Sequence, residues 1–116
     1  MYCNGVFHHI PPAERQEAVA YIHRSLKPAG HLAFFENNPW NLGTRYVMSR
    51  IPFDHDAVTL SPREARVLLS AAGFEIVQVD FLFFFPRWLS SLRRMESSLV
   101  SIPLGAQYLV LCRRTR

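Results

Sequence analysis

Short apolar runs typical of strands alternate along this chain with segments of helical spacing, and this alternation restricts the fold more than any other feature. The strand-like runs cover residues 1–7, 31–35, 74–85 and 105–112. Segments with apolar residues at helical spacing lie between them. Strands that alternate with helices predict an α/β sheet in which the helices cross over from one strand to the next.

Proline and glycine positions mark where the predicted helices begin and end. Pro11-Pro12 opens the first helix, because proline is tolerated in a first turn, and Pro28 stops it. Ser61-Pro62-Arg63-Glu64 has the pattern of a capping box, and Gly73 ends the second helix. An apolar stripe over residues 88–99 predicts a third helix before the last strand.

Residues 37–60 separate the second strand from the second helix and contain several turn formers. Asn38-Pro39, Gly43 and Pro52 all lie in this segment. Irregular connections of this length are uncommon in compact domains and are often lids or binding loops. We therefore expect residues 37–60 to form a substrate-side loop or lid.

Composition excludes several classes of protein. The 116 residues fit one domain at most. Cys3 and Cys112 lie at opposite ends without disulfide or zinc spacing, which favours a reducing, cytoplasmic compartment. No apolar run is long enough for a transmembrane segment, and no signal peptide is expected. Six arginines after residue 86 account for the net charge of +4, so the charge belongs to a tail and does not indicate nucleic-acid binding.

Polar and aromatic residues follow two of the predicted strands at their carboxyl ends, in residues 4–9 and 36–41. In open α/β sheets, ligands bind beyond the carboxyl ends of the strands. These two segments are therefore the predicted functional site.

Four motifs carry a resemblance to a known family. They are Val6-Phe7-His8-His9-Ile10, then Leu26-Lys27-Pro28-Ala29-Gly30-His31-Leu32, then Ala72-Gly73-Phe74, and the closing strand 105–112. In this order they resemble the second half of a class I S-adenosylmethionine-dependent methyltransferase. Ala29 departs from the pattern, because the family prefers glycine there and a side chain strains a left-handed backbone.

The resemblance implies the C-terminal half of a Rossmann-like methyltransferase sheet, with two parallel strands, crossover helices and then an antiparallel strand pair. Residues 1–116 would form a single partial domain. The sequence has no GxGxG motif, so the glycine-rich cofactor loop that the family places after its first strand is missing. The cofactor S-adenosylmethionine would meet an incomplete site, and we expect the chain alone to be inactive.

By matching position, the resemblance implies that Cys3, Asn4 and Val6 lie beside the methionine part of the cofactor. Asn4 offers side-chain hydrogen bonds there, and Gly5 lets backbone approach closely. The alternative interpretation is that Asn4-Gly5 is a simple turn between two elements.

On the acceptor side, His9 is the predicted general base, since histidine titrates near ~6.5, and His8 is predicted to contact substrate. Structural roles for both rings are the alternative. Glu36 is predicted to bind an acceptor hydroxyl or amine as a second catalytic residue.

Asn37 and Trp40 are predicted substrate contacts, with Trp40 covering an apolar or ring-containing acceptor. A capped turn whose tryptophan fills the core is the alternative. The implied partner is a small-molecule methyl acceptor, whose identity and acceptor atom remain open. Asp54-His55-Asp56 has no compact metal-ligand spacing, and no metal site is expected.

A non-catalytic module is the second functional hypothesis. The family's fourth strand is central and pairs with the first strand, which this chain lacks. Residues 2–7 would then offer an unpaired edge, which predicts self-association or pairing with another chain.

Overall fold

Among the residues that the structure describes, four strands and two α-helices follow one another along the chain. The computed structural model describes residues 1–41, 58–82, 87–99, 101–103 and 105–115. In order, the elements are β1 (Tyr2–Asn4), α1 (Arg15–Ser25), β2 (His31–Asn37), α2 (Pro62–Ala71), β3 (Phe74–Leu82) and β4 (Gln107–Arg114). Short 3₁₀ helices cover Phe7–His9 and Pro12–Glu14, and a longer one covers Arg87–Ser98.

The four strands form one sheet in the order β1-β2-β4-β3. β1 and β2 run parallel, with Cys3 opposite Phe34. β4 runs antiparallel to both of its neighbours, and its Val110 lies between Phe34 of β2 and Val79 of β3. This is the predicted fold class, with a parallel strand pair followed by an antiparallel pair.

Both α-helices cover the same face of the sheet. Leu32, Phe34 and Val110 are fully buried on that face, and Val19 of α1 and Leu69 of α2 belong to the same core. On the opposite face the alternate residues Ala33, Phe35, Leu109 and Leu111 are only half-buried. Among the described residues, β2 is therefore fully buried on one face and half-buried on the other.

The predicted capping box at the start of α2 is present. Ser61 Oγ accepts the Glu64 N–H at 3.1 Å, and the Glu64 carboxylate accepts the Ser61 N–H at 3.3 Å. Two donors that a helix start leaves without intrahelical partners are thereby satisfied. α2 begins at Pro62, one residue after the cap.

Three predicted elements differ in extent or type. The first strand ends at Asn4, well before residue 7, because Gly5 takes a left-handed φ of +66° and leaves the extended conformation. The predicted helix over residues 88–99 is a 3₁₀ helix. β3 is described as far as Leu82, and the remaining residues of the predicted strand lie outside the described ranges.

The turn between α1 and β2 contains the alanine that departs from the family motif. Ala29 has φ +64°, so it takes the left-handed conformation in spite of its side chain. Its N–H donates to Arg114 O at 3.1 Å, and Arg114 N–H donates to Gly30 O at 2.8 Å. These bonds attach the turn to the end of β4. A Cβ on Gly30 would lie 2.8 Å from Lys27 O, which explains the glycine at that position.

Among the described residues, no helix combines the length and the apolar character needed to cross a bilayer.

Ala29→Gly should raise the free energy of unfolding by about 1 kcal/mol, because glycine adopts a positive φ without the steric cost of a Cβ. Urea denaturation followed by circular dichroism measures the change. The matched control is Ala20→Gly in the middle of α1, where the same substitution should lower stability by about 1 kcal/mol. If both substitutions raise the free energy of unfolding, or both lower it, the argument from the positive φ of Ala29 is contradicted.

Candidate functional site

The carboxyl ends of β1 and β2 meet at one edge of the sheet, because the two strands are parallel and in register. Asn4 lies opposite Phe35, and the Gly5 N–H donates to Phe35 O at 3.1 Å. The 3₁₀ turn Phe7–His9 follows directly and packs over the end of β2. The two segments predicted as the functional site are therefore adjacent in space.

A buried carboxylate connects this turn to β2. Glu36 is fully buried, and its Oε1 accepts the N–H of Phe7 at 2.8 Å and that of His8 at 3.4 Å. Its Oε2 lies 2.7 Å from His8 Nδ1, at the distance of a short charge-assisted hydrogen bond. A buried carboxylate is costly unless donors surround it, and three donors converge here.

A buried arginine holds the other side of the same turn. Arg15 Nε donates to Phe7 O and to Ile10 O, each at 3.0 Å. Its guanidinium also donates to Val58 O, and the Val58 N–H donates to His8 O at 2.9 Å. The backbone of the turn is thus bound by side chains from β2 and α1 and by the segment before α2.

Two of the predicted cofactor residues line an open groove of about 530 Å³ between β1 and α1. Cys3 is half-buried and Val6 is half-exposed, and both face this groove together with Phe7, Ile10 and Ile22. Asn4 is exposed at the end of β1. The structure therefore brings Cys3, Asn4 and Val6 to one end of one strand.

The predicted acceptor residues lie around the buried carboxylate at different depths. His9 is exposed, and its ring lies against the buried His8 ring at an interplanar angle of 46°, with centroids 4.1 Å apart. Asn37 is half-buried at the end of β2, and Trp40 is 48% exposed. Glu36 is buried behind them, so contact between its carboxylate and an acceptor stays a prediction.

Sequence reasoning missed Asn38, whose side chain forms hydrogen bonds to the backbone of the turn after β2 and of the segment before β4. It is fully buried, and its Nδ2 donates to Pro103 O at 3.0 Å and to Gly105 O at 2.8 Å. Its Oδ1 accepts the Trp40 N–H at 3.0 Å. The signal available in the sequence was an asparagine directly before Pro39, which is typical of a turn with side-chain hydrogen bonds to backbone.

Arg15 and Tyr108 are two further polar residues that the sequence analysis did not select. Tyr108 is fully buried and donates its hydroxyl hydrogen to Leu60 O at 2.6 Å. Burial is the main cause that raises the pKa of Tyr108, and the charge of Glu36 adds to it. Both residues donate hydrogen bonds to the backbone of residues 58–60, the segment that leads into α2.

Burial raises the pKa of both thiols, Cys3 in β1 and Cys112 in β4. Burial and then the negative charge of Glu36 raise the pKa of Cys3 above its usual value. Burial raises the pKa of Cys112 to about 12. A neutral thiol at Cys3 is compatible with a packing contact to a cofactor and does not favour a nucleophilic role.

The described residues contain no group of three or more histidine, cysteine, aspartate or glutamate side chains placed to hold a metal ion. Asp54-His55-Asp56 and much of the predicted loop 37–60 lie outside the described residues.

The end of β1 leaves room for a ligand beside its backbone. Gly5 adopts φ +66°, and a Cβ placed there would meet only the edge of the His8 ring, at 3.6 Å. A ligand can therefore approach this backbone closely. Asn4 and Val6 flank the same position.

Comparison with solved structures identifies the fold. A SAM-dependent methyltransferase from Archaeoglobus fulgidus superimposes with a TM-score of 0.75 at 13% sequence identity, covering 97% of this chain and 57% of that one. A methyltransferase from Thermotoga maritima, described as a possible histamine N-methyltransferase, gives 0.71 at 18% identity, covering 99% and 54%. The [4+2]-cyclase SpnF gives 0.62 at 16% identity, covering 97% and 48%.

The chain therefore has a partial Rossmann-like fold that matches SAM-dependent methyltransferases, and it spans about half the length of those structures. The resemblance inferred from the motifs is confirmed at the level of the fold. At this identity the likeness shows the fold alone, and the cyclase illustrates that one fold hosts more than one chemistry. No protein-family model and no curated protein matches the sequence.

Stability should fall as the pH rises above about 9, because the unfolded Cys112 thiol ionises near 9.0 and the folded one only near 12. The folded state keeps a proton that the unfolded state releases, so the stabilisation is complete below pH 9 and is lost towards pH 12. Urea unfolding at about pH 8 and about pH 10.5 should show a loss of about 2 kcal/mol from this group.

Cys112→Ala should remove most of that loss, and Cys3→Ala should remove less because Cys3 is only half-buried. Comparing the change between the two pH values within each variant cancels any packing defect. If wild type and Cys112→Ala lose the same stability on alkalisation, the buried thiol is not the titrating group.

Proposed function

We propose that this chain contributes the acceptor side and one wall of the cofactor site of a S-adenosylmethionine-dependent methyltransferase that acts on a small molecule. The observation that carries the proposal is the turn Phe7–His9, held by a buried carboxylate at the joined ends of two parallel strands. The fold shared with SAM-dependent methyltransferases supports it. The description of the Thermotoga maritima protein names histamine, a small amine, which supports a small-molecule acceptor.

The proposed roles follow the positions of the residues. Asn4, Val6 and Cys3 would contact the methionine part of S-adenosylmethionine at the end of β1. The bound sulfonium would supply an activated methyl group with a good leaving group. The protein then needs only to align the acceptor and remove a proton from it. His9, exposed and adjacent to this end, would take that proton.

Asn37, Trp40 and His8 would form the acceptor side. Asn37 and Trp40 come directly after β2, and Trp40 exposes a large apolar surface that can cover an acceptor ring. Asn38 anchors the backbone between them. The two cysteines are free thiols, which supports a reducing, cytoplasmic environment for the protein.

Alone, the chain should bind S-adenosylmethionine with a Kd weaker than about 1 mM, corresponding to about −4 kcal/mol, because this half of the fold lacks the glycine-rich loop. Isothermal titration calorimetry with the purified 116-residue chain measures the affinity. Saturable binding at micromolar concentration would show that the site is more complete than we propose.

At about 10 mM S-adenosylmethionine, roughly tenfold above that Kd limit, amide chemical shifts should move at Asn4, Val6 and His9. Shifts at Ala29 and Gly30, at the opposite end of β2, should not move, and they serve as the internal control. Adenosine at the same concentration tests whether the methionine part contributes. Shift changes at Ala29 and Gly30 without changes at the end of β1 would contradict the proposed location.

A non-catalytic module that self-associates is the second candidate, and the edge of the sheet favours it. Among the described strands β1 pairs with β2 alone. Tyr2 is 68% exposed on it, and the apolar groove beside α1, which Val6 lines, adjoins the same strand. Unpaired strand edges next to apolar surface promote association between chains.

Multi-angle light scattering should detect dimers or larger species that Tyr2→Lys converts towards monomer, because lysine on an edge strand opposes pairing. Val67→Lys on α2 is the matched control: it places the same charge on a residue of similar exposure away from the edge. A monomeric wild type, or equal effects of the two lysines, would exclude association through β1.

A further inference from the structure

A buried arginine lines a groove between the two α-helices. The groove is open, has a volume of about 450 Å³, and lies between the first turn of α1 and the side of α2. Arg15 lines it although the residue is only 4% exposed. Arginine is almost never buried to this extent unless its charge is paired, so the surroundings of Arg15 need an explanation.

The hydrogen bonds of Arg15 leave part of its guanidinium unused. Nε donates to the carbonyl groups of Phe7 and Ile10, and Nη2 donates to that of Val58. Among the residues that the structure describes, Nη1 has no hydrogen-bond partner, and Arg15 forms no ion pair. Carbonyl groups satisfy N–H donors, but they do not neutralise a buried positive charge.

The carboxylates in this part of the fold are bound to other groups or face another groove. Glu36 binds the backbone of the turn after β1. Glu64 lines the groove between the helices, and its carboxylate accepts the Ser61 N–H in the capping box. Glu14 and Glu17 line the groove beside β1 instead. None of these carboxylates forms an ion pair with the buried guanidinium.

The lining of the groove combines positive charge with an apolar wall. Arg63, which is exposed, contributes a second guanidinium beside that of Arg15. Leu60 is buried, Val67 is 64% exposed, and Leu68 lies next to it on α2. A matching ligand needs an anionic end and an apolar body. The volume lies within the range of about 300–1,000 Å³ that is usual for small-molecule sites.

We propose that this groove binds a small organic oxyanion, a carboxylate or a phosphate monoester with an apolar body. Its oxygens accept hydrogen bonds from Nη1 of Arg15 and from the guanidinium of Arg63, and its apolar body lies on Val67 and Leu68. A planar guanidinium suits both kinds of oxyanion, because each presents two oxygens to parallel N–H donors. The groove is lined by other residues than the end of β1, and the proposal does not depend on the proposed methyltransferase function.

Nitrogen-15 NMR titration of the intact chain with sodium hexanoate tests the site, with sodium chloride keeping the ionic strength constant. The backbone amides of Gln16, Arg63 and Val67 and the side-chain Nε–H of Arg15 should shift in a saturable manner, with a Kd in the millimolar range. Hexyl phosphate is the second arm, and the tighter binder of the two identifies the oxyanion.

The uncharged control for the ligand is 1-hexanol, which has the same tail. It should bind at least about tenfold more weakly, because hydrogen bonds to charged groups are the stronger ones. Equal binding of hexanol and hexanoate would overturn the proposal. So would saturable shifts that avoid the groove, or no saturable shifts with either anion.

Arg63→Gln should weaken the binding of the preferred anion by about threefold, as expected for an exposed charge pair. Arg24→Gln is the matched control, because it removes the same charge from an exposed position in the last turn of α1. It should leave the affinity unchanged. An equal loss in both variants would show that net charge alone attracts the anion, and this would overturn the proposal.

Arg15→Lys keeps the positive charge but removes the planar guanidinium, and it should weaken binding by about tenfold. Circular dichroism shows whether this variant is folded. A folded Arg15→Lys that binds the anion as tightly as the wild type would overturn the proposal. If the variant does not fold, the comparison with hexanol and the pair Arg63→Gln and Arg24→Gln decide the question.

Discussion

A buried carboxylate joins the two parallel strands at the edge of the sheet where the predicted site lies, and the geometry of that edge depends on it. Glu36 accepts the N–H groups of Phe7 and His8, which would otherwise be buried without partners. Together with the bonds from Arg15 and the packing of Phe7 on Phe34, these bonds hold the turn after β1 over the end of β2. A charge in this position is tolerated only because donors surround it, so the carboxylate and the turn stabilise each other.

The placement of the helices gives the two faces of the sheet different roles. α1 and α2 cover one face, where the largest apolar side chains are fully buried, and the opposite face stays half-buried among the described residues. The β1 edge adjoins an open groove lined by Cys3, Val6 and Ile22. These surfaces are consistent with a chain that spans about half of the structures it matches. They also explain why a catalytic part and a self-associating module are both reasonable for the same fold.

Local signals in the sequence were sufficient for the order of elements and for several of their ends. The capping box at Ser61 and the glycine at position 73 depend on neighbouring residues, and both occur where expected. Contacts between distant residues could not be read in this way. Arg15 donates to the carbonyl groups of Phe7 and Val58, and Asn38 donates to that of Gly105. These partners are far apart in the sequence, so no local pattern predicts the contacts. The 3₁₀ conformation of Arg87–Ser98 was missed because its apolar spacing does not distinguish it from an α-helix.

The sequence by itself determined the fold class, the alternation of strands and helices, and which two segments would lie at the carboxyl ends of the parallel strands. These properties follow from periodicity and from the conformational limits of proline and glycine. Only the tertiary structure decided what the polar residues of those segments do. Glu36, His8 and His9 are equally plausible functional groups in a linear sequence. Folding buries the first two against each other and leaves His9 exposed, because depth and partner depend on how β1, β2 and α1 pack in three dimensions.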